Sequence, residues 1–500
     1  MSENNKQESG RIVISNSIIY TISGLMLKCF SFFLLPLYTT YLTTEDYGIQ
    51  SVAISFMSTM AFVVAFSLYS AVMRFYVDLK HDEENLKRFY GSVISFVFIS
   101  SLVFGLLIFL FRDLVVRYLF SGIDFFPVVL ICIVILVFNC QQQIYVNILR
   151  SQQKALKCSI LSIAYFFITL GFNILFIVVC RMGATGVLLS LLISNFAYTT
   201  YFIIDMLRTK SITICFDRRL LKEALTYSIP IIPHNLATKL AQLVSKVLIG
   251  NKRTMSSLGL FSVASQFGDI ADTIQTYVNN AYGPWLFERL HNQSEGYKRT
   301  IRSVVRSLCA VIGLFFICLA LFSHDYIVLF INKSYIESWK YVPLIVLVYG
   351  IKSMYYFYVN ILFYYKKASR ILFTSTLTGS LVNILTSAFF IPILGVCGSI
   401  IADAIAMLVR IVIVYIICKQ FDDIGLKVID FAVNFILITT FIFIGLLPSY
   451  LFFSNKFSFI NISYKTLVIF FYCLYLFIAH KKQLIPMIIN VKNRLMTAYH

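Results

Sequence analysis

Runs of about twenty apolar residues follow one another almost without pause through this 500-residue chain, and no other feature narrows its fold so far. A bilayer core about 30 Å thick is crossed by roughly 20 helical residues, and the backbone polar groups inside it must be satisfied within the segment, so such runs are spanning helices. Membrane β-strands alternate over only about ten residues, which excludes a barrel. Charges, prolines and glycines divide the chain into spans near 12–38, 47–73, 89–111, 127–148, 158–180 and 186–207, then 224–249, 258–282, 301–323, 340–363, 371–393 and 396–418, and finally 429–453 and 463–480. The expected fold is an all-α polytopic membrane protein of about 14 transmembrane helices.

The first twelve spans form two matching sets. Ser51–Phe56 (SVAISF) returns as Ser262–Phe267 (SVASQF) 211 residues later, and Lys28 returns as Lys239 at the same offset. Tyr145–Leu149 and Tyr358–Leu362 are both YVNIL, 213 residues apart. Several echoes at a nearly constant offset indicate a duplicated unit. The expected organisation is a six-helix lobe over 1–207, a basic connector over 208–223, a second six-helix lobe over 224–418, and two additional helices with a tail over 419–500. An even number of spans per lobe makes both lobes run the same way, related by a pseudo-twofold axis along the membrane normal with a cleft between them.

A net charge of +19 would suggest nucleic acid on a soluble protein, but here most of the 42 Lys and Arg lie in connectors on one side of the spans. Sets such as Arg150, Lys154 and Lys157, or Lys366, Lys367 and Arg370, mark that side as cytoplasmic, with both termini inside a multi-pass membrane protein. No nucleic acid partner is expected. Residues 1–11 precede the first apolar run without a small-residue cleavage site, so that run is read as a retained span. Eleven scattered cysteines form no CxxC and no His/Cys set, and no phosphate loop, HExxH or GxSxG is present. Connectors are too short for a soluble catalytic domain. The expectation is a non-enzyme with no cofactor and no metal.

Charges inside the spans are the candidates for function. Asn235, Lys239, Gln242 and Lys246 fall at i, i+4, i+7 and i+11, one face of a helix. Placing a cation at the bilayer centre costs about 2.5–3.5 kcal/mol, and such groups face a wet cavity or a partner. Lys28 and Lys239, equivalent across the repeat, repel unless an anion such as a phosphate or diphosphate lies between them; the alternative is that each snorkels or pairs with a carboxylate. On the next span, Asp269 or Asp272 could neutralise Lys239 or carry a coupling proton. Lys352 opens a face with Tyr356 and Asn360, while Asp403 and Arg410, seven residues apart and about 10 Å along the axis, need separate partners. The alternative for all of these is hydrogen bonding between helices.

Three stretches carry a family resemblance: Leu34–Phe56 (LLPLYTTYLTTEDYGIQSVAISF), Arg74 within MRFY, and Leu258–Phe267 (LGLFSVASQF). Glycine turns Gly183/Gly186 and Gly395/Gly398 open spans six and twelve. Together with the six-plus-six-plus-two layout, these residues resemble bacterial O-antigen or capsule repeat-unit flippases, in the polysaccharide-transport branch of the multidrug/oligosaccharidyl-lipid/polysaccharide exporter superfamily. The resemblance implies alternating access, with an undecaprenyl diphosphate-linked oligosaccharide as substrate and membrane lipids around its tail. It also implies a glycan polymerase and chain-length machinery as partners, a proton or sodium ion for coupling, and Arg74 as an inner-gate or headgroup contact. Peptidoglycan-precursor flippases share that chemistry. A multidrug antiporter of the same fold would bind cations and favour carboxylates where spans one and seven carry lysines.

Overall fold

Every described element of regular structure in the computed structural model is helical. The structure describes residues 3–120, 122–213, 215–293, 295–365, 372–421 and 425–497, with side chains from 16 to 481 except positions 17, 18 and 480. Lys366, Lys367 and Arg370 lie outside the described residues. In chain order the helices are α1 (Glu3–Phe33), α2 (Leu35–Tyr41), α3 (Thr44–Val64), α4 (Leu68–Leu79), α5 (Glu83–Leu110), α6 (Arg112–Leu119), α7 (Leu130–Ser151), α8 (Ala155–Asn173) and α9 (Gly183–Arg208). There follow α10 (Arg218–Ser228), α11 (Ile232–Lys252), α12 (Met255–Asn292), α13 (Tyr297–Phe330), α14 (Val342–Tyr364), α15 (Leu372–Leu394), α16 (Val396–Phe421), α17 (Val428–Leu451) and α18 (Phe459–Thr497).

Among the described residues, twelve helical segments are long and apolar enough to cross a membrane. The expected seventh and eighth spans correspond to α11 and α12, which have the length, 21 and 38 residues, but whose interior Lys239, Lys246, Asp269 and Asp272 separate them from those twelve. Three expected spans are interrupted. The first breaks at Leu34, ahead of Pro36 in the opening turn of α2, where a missing N–H costs no helical bond. The second is cut between α3 and α4 at Phe66 and Ser67, whose φ values of +49° and +52° are left-handed. The seventh starts as α10 and resumes as α11 with Pro233 in its first turn. Of the gaps between the expected spans, α6 fills much of 112–126, and the end of α13 with a 3-10 turn over Lys333–Lys340 fills 324–338.

The helices gather into two compact units, Met1–Gly259 and Leu260–His500. In the first, α7 is flanked by α3, α4, α5, α8 and α9, and α11 lies along α3. The start of α3 is a capping box in which Thr43 and Asp46 satisfy each other's backbone amides. Asp46 also accepts from the Ala184 amide at 2.9 Å, fixing the entry of α9 beside it. A side chain at Gly48 would run into the Met255 carbonyl and one at Gly259 into the Thr44 carbonyl, so two backbones touch at glycines that are themselves repeat equivalents.

In the second unit, α16 packs on both α14 and α15, while α13 carries α17 and α18. Lipid gives helices little apolar incentive to associate, so close approach at small residues and interhelical polar bonds hold them together. Gly313 receives Tyr472 and Ile438, Gly445 receives Leu321, and the Tyr472 hydroxyl donates to the Ala310 carbonyl at 3.0 Å. The two additional helices are thus bound directly to α13.

Candidate ligand-binding site

Polar residues inside the helices fall into those the chain neutralises itself and those it does not. In the first unit, Lys28 is exposed on α1 and Lys239 is half-buried on α11. Among the described residues neither ammonium has a carboxylate within ion-pair distance; at Lys239 it is the backbone carbonyl that accepts, from Thr59 Oγ1 at 3.3 Å. On the same helix Asn235 donates to the Tyr69 hydroxyl at 2.7 Å, Gln242 is exposed and Lys246 is half-buried. Arg74 lies exposed on α4 and pairs with Asp78 one turn on, at 2.7 Å. A cation held so loosely remains available to a ligand.

In the second unit α12 and α14 are joined by a ladder of polar rungs. Lys352 Nζ is 2.6 Å from Asp272 Oδ1, and the Tyr356 hydroxyl donates to the same oxygen at 3.3 Å. One turn along, Gln275 Nε2 donates to the Tyr349 carbonyl and the Ser353 hydroxyl; a further turn on, Asn360 Nδ2 donates to Asn279 Oδ1 at 2.6 Å. Asp272 is therefore the counterion of Lys352, a pairing that their separation in sequence does not suggest. Asp269 is exposed on the same helix. Of the aromatic run after Lys352, Phe357 and Tyr358 are buried, with Tyr358 donating to the Leu426 carbonyl, so this part packs the core.

Asp403 and Arg410 on α16 have separate partners on α15, as their spacing demands. Asn383 Nδ2 donates to Asp403 at 2.7 Å and Arg410 Nη2 donates to the Ser380 hydroxyl at 2.9 Å. The arginine stem lies where a side chain at position 379 would be, so Gly379 is what admits it.

Three charge clusters are absent from the sequence-derived candidates. Lys157 and Tyr145 both bind Asp205, at 2.6 and 2.7 Å, joining α7, α8 and α9. Arg302 grips Asp430 through Nε at 2.5 Å and Nη2 at 2.9 Å, joining α13 to α17. Lys465 on α18 is wholly buried, 2.7 Å from Asp325, with His324 Nε2 donating to the Phe453 carbonyl at 2.9 Å and leaving Nδ1 to accept from the lysine at 3.4 Å. A lysine inside an apolar run was the signal for the last cluster; its partners lay in what reads as a loop. No group of metal-ligating side chains occurs among the described residues.

A bundle of long apolar helices with ionisable groups inside them defines a multi-pass membrane protein. The family described as "Polysaccharide biosynthesis protein" matches residues 13–290, more than half of the sequence, and the chain belongs to that family. It is 25% identical over 404 residues to an "Uncharacterized membrane protein" of Haemophilus influenzae, covering 77% of this chain and 94% of that one. Its fold is similar to that of the lipid II flippase MurJ in an inward closed conformation, with a TM-score of 0.71 at 16% identity over 92% of this chain and 99% of that one. An inward-facing multidrug resistance MATE transporter of the MOP superfamily matches at 0.56, with 16% identity over 80% and 97% of the two chains. The fold is thus similar to that of both transporters.

Proposed function

We propose that this chain flips undecaprenyl-diphosphate-linked oligosaccharide repeat units from the cytoplasmic to the periplasmic leaflet of the bacterial inner membrane by alternating access, for O-antigen, capsule or exopolysaccharide assembly. On this reading it is a transporter and not an enzyme, both termini are cytoplasmic, and a glycan polymerase with its chain-length machinery takes the product. The division into lobes 1–207 and 224–418, connector 208–223 and additional helices 419–500 belongs to the same proposal. Family membership and the lipid II flippase fold support a lipid-linked substrate.

The observation that carries the reading is the pair of lysines, Lys28 and Lys239, that no carboxylate of the described chain neutralises. An anionic diphosphate is the partner the chain itself does not supply. Lys246, Lys352, Arg410 and Arg74 are the further headgroup contacts of this proposal. Asn235, Gln242 and Asn360 are its neutral polar lining, and Asp269, Asp272 and Asp403 carry the coupling proton or sodium ion.

The test compares cells lacking the chain, complemented with wild type or Lys239→Ala, for surface glycan and for diphosphate-linked oligosaccharide held on the inner leaflet. Glycan lost and precursor accumulated in both the null and the variant supports the reading. Normal glycan export in the null overturns it, and normal export by the variant removes Lys239 from the headgroup site.

A further inference from the structure

The surroundings of Lys352 have the chemistry of a site for an organic cation, and the lysine's own ammonium occupies it. Its Nζ lies 5.4 Å from the centroid of the Tyr349 ring and 5.1 Å from that of Tyr356, both within the range of cation–π attraction, and 2.6 Å from the Asp272 carboxylate. Two aromatic faces and one carboxylate around a single ammonium are the elements by which proteins bind alkylammonium ligands.

The walls of the cage do not depend on the lysine. Gln275 binds the Tyr349 carbonyl and Ser353, and Asn279 binds Asn360, so α12 and α14 remain joined on the rungs beyond Asp272 when the amine is removed. Without Lys352, this part of the second unit would present Asp272 and two tyrosine faces to any cation that reached it.

We propose that Asp272, Tyr349 and Tyr356 form an alkylammonium site, and that Lys352 is its tethered occupant and the residue that excludes free organic cations from it. The identity of position 352 thereby decides whether this unit binds cations. This goes beyond the flippase proposal, in which Lys352 and Asp272 also figure, and because the test uses no glycan the two proposals fail separately.

The experiment uses the purified full-length chain in detergent, titrated with n-propylammonium chloride, which replaces the part of the side chain removed in Lys352→Ala, against sodium chloride at equal ionic strength. Binding is read from the shift in the thermal unfolding midpoint. We expect Lys352→Ala to bind n-propylammonium roughly tenfold more tightly than wild type, a difference in the range of one cation–π contact plus a restored ion pair. Lys352→Arg should behave as wild type, and Lys352→Ala combined with Asp272→Asn should lose the gain. A Lys352→Ala chain that binds no better than wild type, or a gain that persists without Asp272, overturns the proposal. Should Lys352→Ala not fold, Lys352→Met keeps the stem volume and is probed with methylammonium, with the same outcomes. Failure of both variants to fold, unrelieved by the alkylammonium, would make Lys352 a structural pin and overturn it too.

Discussion

Replacing Lys465 with methionine tests whether the buried cluster near the end of α13 holds α18 in place. The lysine is wholly buried and its ammonium is 2.7 Å from the carboxylate of Asp325, a residue only 4% exposed. Methionine keeps the stem but leaves that carboxylate without its ammonium partner. Breaking a buried pair on one side costs about 3–5 kcal/mol, and each kcal/mol moves the midpoint of a unit the size of Leu260–His500 by roughly 2–4 °C, so a fall of about 6–20 °C is expected. Replacing both partners, as Lys465→Met with Asp325→Leu, should recover most of the loss, because an apolar pair of similar volume has no charge to desolvate. Thermal unfolding of the purified full-length chain, followed by intrinsic fluorescence, reads both. A single variant within about 3 °C of wild type, or a double variant whose losses simply add, would refute the argument.

Gly48→Val should cost about 1–3 kcal/mol or more by forcing α3 off the Met255 carbonyl, and Gly259→Val should do the same at Thr44; unfolding midpoints check both, and unchanged values would mean the two backbones are free to part. Arg302→Ala should cost less, about 1–2 kcal/mol, because its side chain is 30% exposed, and the loss should shrink in high salt. At the start of α5, the Asn85 amide donates to Asp82 and holds that carboxyl below the usual aspartate range. This cap is therefore complete above the ordinary aspartate pKa of about 3.9 and lost as pH falls through the lowered value, and hydrogen exchange at Asn85 should accelerate only there.

Apolar run length alone made the helices legible, because a membrane interior leaves a twenty-residue apolar segment one conformation. Where helices break was less so. Pro36 and Pro233 announce themselves, but the left-handed backbone at Phe66 and Ser67 arises in residues that do not favour positive φ. Helical spacing put Lys352, Tyr356 and Asn360 on one face, and the structure gives that face to α12; it could not say that Asp272, 80 residues away, would be the counterion. His324 and Asp325 fall where an apolar run ends, and a charge in sequence marks a solvated turn and a buried pair alike. Only the third dimension, which brings Lys465 to them, separates the two cases.

That distinction also separates the lysines by purpose. Lys465 is neutralised by a carboxylate of the same unit, so its charge contributes to the fold. Lys28 and Lys239 have no such partner among the described residues, and an unneutralised cation in a span costs about 2.5–3.5 kcal/mol that packing does not return. The two kinds should respond to the same substitution with opposite signs. Where Lys465→Met destabilises, Lys28→Met and Lys239→Met should leave the unfolding midpoint unchanged or raise it, since methionine fills the same stem volume without the charge. If the lysines are there for a ligand, export of surface glycan should nevertheless fall by tenfold or more, as loss of one charge-assisted phosphate contact of about 1.5–3 kcal/mol implies. A large drop in midpoint with Lys239→Met would show that the chain depends on this ammonium for its fold. It would then be a structural group like Lys465, and the argument from its missing counterion would fail.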